Sequence, residues 1–237
     1  MTKYLSHALD PCFMRVNRAN ERIAELERHI CEIARKQADA CTIEFDPNPP
    51  HKITKTIAPA ETFFGMDVPI LIGEICYHFR SALDYLVFEL AKLDSGVEQK
   101  GTQFPIEDDP NRFRGNAPRM LAGINPVHVA AIERLQPYNR CDWIERLRDC
   151  SNPDKHRHFV EAGGVSRMTA HSSLERDDLD RIDGFERDAP FGLGHVKVKV
   201  HNALTITFED GFPVIETLQE IQSCIAHALR YFKPEFK

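Results

Sequence analysis

The sequence predicts an α+β fold, mainly a bundle of four to five helices carrying one or two antiparallel β-hairpins. Three observations point there. Segments 13–38, 69–93 and 213–232 place apolar residues at three- and four-residue steps, the period of a helix with one buried face. Short segments near 41–57 and 194–211 are β-branched or alternate apolar with polar residues. Hydrophobic residues make up 42% and charged residues 28% of 237, too apolar for general disorder and enough for one core, so 1–237 is expected to be a single domain.

The first helix is read over 13–38. Val16, Ala19, Ile23, Leu26, Ile30 and Ile33 form a narrow seam of coiled-coil type. That seam fits one arm of an intramolecular helical hairpin, or a homodimer through helix 13–38. CTIEF (41–45) and HKITKTI (51–57) read as strands, and DPNPP between them as a turn.

PILIGEICYHFRSALDYLVFELAKL (69–93) is the strongest helix. At about 100° per residue, Ile72, Ile75, Cys76, Phe79, Ala82, Leu83, Leu86 and Leu90 share one half of the cylinder. Glu74, Tyr77, His78, Arg80, Ser81, Asp84 and Tyr85 share the other, with Arg80 and Asp84 one turn apart.

GTQFPIEDDPNRFRG (101–115) reads as a loop with turns. Helices follow at 125–136, opened by Pro126, and at 142–150. A strand is expected from Gly163-Gly164 onward. Residues 172–188 carry seven acids and few large apolar residues, and read as an exposed acidic loop. GHVKVKVHN (194–202) and ALTITFEDG (203–211) read as a hairpin. The last helix buries Leu218, Ile221, Ile225, Ala228 and Phe232.

Composition also excludes classes of function. The net charge is -6, with 36 acidic and 30 basic residues, which opposes broad electrostatic binding to nucleic acid. No run approaches a membrane span and the N-terminus lacks a secretory h-region, so a cytoplasmic protein is expected. Seven scattered cysteines with no C-x-x-C pair fit thiols in a reducing compartment. G-x-S-x-G, a Walker A loop and G-x-G-x-x-G are all missing from the sequence.

The chemistry concentrates in SNPDKHRH (151–158). Ser151 or Asn152 can cap a helix, with Pro153 in its first turn, so the stretch reads as a short helix start. On a helix His156 and His158 point apart, so no metal is expected there. His156 suits acid–base catalysis near neutral pH, and Lys155 or Arg157 suits binding a phosphate. Asp84 could orient His156 or hold an arginine. Equally, Asp84 with Arg80 or Arg157 could form a partly buried network that sets helix packing.

IGEICYHFRSALDYLVFELA, TQFPI (102–106), LQPYN (135–139) and SNPDKHR together resemble a family of bacterial and phage-associated proteins without an assigned activity. That family carries "H-N-L-R-S-A-L-D-H-L" and a later "N-x-D-K-H-R". Here Tyr85 stands where the family form often has histidine. More distantly, the pattern is similar to HEPN domains, small helical bundles found in toxins and phage-defence proteins. Many of these are metal-independent ribonucleases with "R-N-x-x-x-H". Asn152 and His156 match that spacing, and Ser151 replaces the arginine. The resemblance implies a cofactor-free ribonuclease acting on RNA, with His156 catalytic, Asn152 positioning it, and Arg80, Asp84, Lys155 and Arg157 serving the site. The alternative is a non-catalytic domain that binds a small anionic ligand or a protein, or that oligomerises, with the Arg80/Asp84/His156 cluster as architecture.

Overall fold

A computed structural model describes residues 7–46, 52–56, 65, 67–155, 162–172, 185–191 and 194–236. Six α-helices occur among them: α1 (Asp10–Ala40), α2 (Asp67–Ser95), α3 (Pro110–Met120), α4 (Pro126–Glu133), α5 (Asp142–Lys155) and α6 (Val214–Phe232). The strands are β1 (Thr42–Asp46), β2 (Lys52–Thr56), β3 (Ala162–Ser172), β4 (Phe185–Phe191) and β5 (Gly194–Phe208). The chain divides into two compact units. One comprises Met1–Glu25, Pro69–Val160 and Ile215–Lys237, and the other Leu26–Val68 and Glu161–Val214.

The first unit is helical. Its centre is α2, whose Ile72, Ile75, Phe79, Leu83, Leu86 and Leu90 are fully buried. The buried arc is wider than the half-cylinder expected from the sequence, because Leu71, Arg80, Val87 and Ala91 are buried too. From α6, Leu218, Ile221, Ile225 and Leu229 add a second fully buried stripe at the same helical period.

The second unit holds the strands. β1 pairs antiparallel with β2, and a three-stranded antiparallel sheet has the order β3-β5-β4.

Several expectations need correcting. The stretch read as a loop over 101–115 contains the start of α3. Asp109 caps it, its Oδ1 accepting from the Asn111 N–H at 2.7 Å, and Pro110 sits in the first turn. Between α3 and α4, Gly123 adopts φ 80°, and a Cβ there would lie 2.8 Å from the Gln99 side chain.

SNPD is not a helix start. Those residues are the last turns of α5. Ser151 is buried, and its Oγ donates back to the Arg148 carbonyl at 3.1 Å. A hydroxyl used in this way is not capping a new helix. Pro153, which has no N–H of its own, lies in the last described turn of α5.

Residues 194–208 form the single strand β5, not a hairpin. Val196, Val198, Val200, Leu204, Ile206 and Phe208 all fall on even positions, so the alternation crosses Asn202 without a change of phase. A turn would need a break such as Gly or Pro, and none stands there. Of the segment read as an acidic loop, Phe185–Asp188 belong to β4, and 173–184 lie outside the described residues. The α1 seam from Val16 to Ile33 is at most 9% exposed within the single chain.

Candidate functional site

Arg80 and Asp84 meet as their spacing predicts, with Arg80 Nε 3.8 Å from Asp84 Oδ1. Their stronger contacts are to main chain. Arg80 Nη2 donates to the Phe104 carbonyl, and the Phe104 N–H donates to Asp84 Oδ1 at 2.9 Å. The two side chains thus hold both polar groups of one residue whose own side chain is fully buried. Burial lowers the Arg80 pKa from its usual value, and Asp84 opposes that shift.

Gln136, fully buried, grips the same extended segment from α4's end. Its Nε2 donates to the Pro105 carbonyl at 3.0 Å and the Ile132 carbonyl at 3.2 Å, and its Oε1 accepts from the Glu107 N–H at 2.9 Å. The Gln103 N–H donates to the Met120 carbonyl at 3.0 Å, and Asp108 pairs with Arg148. Backbone groups that burial would otherwise leave unbonded therefore find partners from 103 to 107. RSALD, TQFPI and LQPYN converge on this clamp.

Of the remaining site residues expected from the sequence, two fall within a described helix. Asn152 and Lys155 lie in the last turns of α5. His156 and Arg157 lie outside the described residues.

Three features escaped sequence reasoning. The first is a buried polar cluster at the start of α4. Asp94 accepts from the Asn125 N–H at 2.9 Å, the Asn125 amide at 2.8 Å and His128 Nδ1 at 2.8 Å. Asn125 in turn caps α4 through the His128 N–H at 2.9 Å. Its signal was the Asn-Pro pair; Asp94, some thirty residues upstream, has no local pattern.

The second is an aromatic and cationic surface on α1 and α2. The Arg15 guanidinium lies 5.8 Å from the Tyr77 ring centroid and 5.4 Å from that of Tyr85. It also donates to the Tyr85 hydroxyl at 3.2 Å and approaches His78 Nδ1 at 3.3 Å. Partial burial, then Arg15 and Arg18, push the His78 pKa down.

The third is a cavity of about 390 Å³ between α4, α5 and α6. Trp143, Ala131, Ala228 and Phe232 are buried in its wall, while Arg134, Ser223, His227 and Tyr231 are exposed at its rim. Cys224 completes one side, its pKa raised by burial, then by Glu220 and Cys141. A shallower groove of about 420 Å³ runs between α3 and α4.

Among the described residues no three His, Cys, Asp or Glu side chains are grouped to hold a metal ion. None of the described helices is long and apolar enough to cross a membrane. No protein-family model matches the chain, and neither a curated protein nor a solved structure matches it.

Proposed function

We propose that the chain is a non-catalytic binding domain whose ligand site is the cavity between α4, α5 and α6, with Arg80 and Asp84 serving as architecture. The carrying observation is the cavity itself: a volume within the range of small-molecule sites, an apolar wall, and a few polar groups at the rim. The Phe104 contacts support the architectural half, because both side chains already hold main-chain groups. Trp143 is the only tryptophan in the sequence and lines the cavity, so its fluorescence reports occupancy directly. Titration with decanol is expected to shift Trp143 emission and raise the melting temperature. Ala131→Leu, which adds three carbons to the cavity wall, is expected to weaken both responses. A wild-type protein that answers decanol with neither signal overturns this reading.

A metal-independent ribonuclease of HEPN type is the second reading. It is favoured by the helical character of the first unit and by the spacing of Asn152 and His156. In it His156 moves the proton of the ribose 2′-hydroxyl, Asn152 positions the site, and Lys155 and Arg157 bind phosphate. Cleavage of labelled RNA in EDTA, lost in a His156→Ala variant that melts normally, would support it and count against the binding domain.

A further inference from the structure

From the charges around the cavity we infer that its ligand is a monoanionic amphiphile, an apolar body with a carboxylate-type head, and that Arg134 is the residue that selects the charge. This rests on the cavity being a ligand site.

None of the ten lining residues is acidic, in a chain with 36 acidic and 30 basic side chains. Arg134 is exposed at the rim, and no ion pair engages it among the described residues. Its neighbours illustrate the contrast: Arg146 is held by Glu220 at 2.8 Å, and Arg148 by Asp108, Asp149 and Glu145. His227 adds an N–H donor at the same rim in either tautomer.

Competing charges are weak. Cys224 has its pKa raised, so it stays a neutral thiol near pH 7. Glu220 lies beside Cys224 but outside the lining, and Arg146 neutralises it. The carbonyl end of α4 contributes about half a negative charge, and the full charge of Arg134 at its C-cap outweighs that. The floor accepts the other half of the molecule. Trp143 is 9% exposed and Phe232 1%, and small Ala131 and Ala228 leave room for an alkyl chain or ring.

The test compares three probes that share a body and differ in head: decanoate, decanol and decylamine. Binding is followed by Trp143 emission and by melting temperature, in the full chain at neutral pH. Decanoate is expected to bind about fivefold tighter than decanol, the gain of one partly exposed charge-assisted contact, with decylamine weakest. Arg134→Gln is expected to bring decanoate down to decanol while leaving decanol unchanged. Equal affinity for all three probes would overturn the charge selection and leave the cavity reading standing. No response to any probe would overturn both. Tighter binding of decylamine would overturn the sign of the inference. If Arg134→Gln lowered all three affinities equally, Arg134 would be a wall residue and not a charge selector.

Discussion

The 103–107 clamp and the α4–α5–α6 cavity lie in the same helical unit and use opposite chemistry. In the clamp, charged and amide side chains turn inward and nearly every polar atom named there meets a partner within it. In the cavity, apolar side chains line open volume and the one cation at the rim lacks an acidic partner among the described residues. Arg80 and Asp84, two of the site residues read from the sequence, are thus already engaged. The region with capacity for a ligand is built from alanine, tryptophan and phenylalanine. Burial with matched partners gives architecture, and exposed unmatched groups beside an apolar wall give recognition.

This contrast can be broken by substitution. The largest effect is expected for Arg80→Ala, which frees the Phe104 carbonyl and deprives Asp84 of its cation. We expect about 3 kcal/mol of destabilisation in urea unfolding, with decanol affinity unchanged once the protein is folded. A variant that melts normally but loses binding would place Arg80 in a ligand site and collapse the distinction. Gln136→Leu should cost about 2 kcal/mol, since Pro105 and Glu107 lose a shared partner.

Narrowing the cavity should do the reverse. Ala131→Leu is expected to change stability by less than about 1 kcal/mol while weakening the Trp143 response. A loss of several kcal/mol would mean that the space is packed core.

The smallest effect concerns His78. Its pKa is lowered in the folded protein, so the unfolded chain binds more protons as pH falls. The native state is therefore unpenalised above the unfolded value near 6.5 and loses a little stability as pH drops below it through the folded value. Arg15→Ala removes a neighbouring positive charge. It is expected to raise the His78 pKa in an NMR titration and flatten that acid slope. An unmoved titration would show that Arg15 does not contribute to the shift.

The long helices were legible because their apolar period is wide and repeated: 13–38 became Asp10–Ala40, and 69–93 became Asp67–Ser95. The α3 helix was not, because Phe113 is its only buried residue and one residue makes no stripe. Its start was nevertheless written in Asp109-Pro110, a capping pair passed over because the surrounding residues read as turns. For the clamp, the sequence showed Arg80 and Asp84 as a pair but not their object. That object is a peptide group, and a sequence does not display which peptide groups will need partners. The cavity was invisible for a related reason. Its wall is assembled from three helices, and each contributes residues that read locally as ordinary core.

Holding a segment by its N–H and C=O groups has an evolutionary corollary. The grip does not read side-chain identity at Phe104, Pro105 and Glu107, the positions it holds, so these are free to vary as far as packing allows. Arg80, Asp84 and Gln136, which do the holding, are not. Kinship among chains of this build would then surface as a recurring arginine, aspartate and glutamine. An alignment would present that trio much as it presents catalytic machinery, although its shared task is to hold the backbone of Phe104, Pro105 and Glu107 in place.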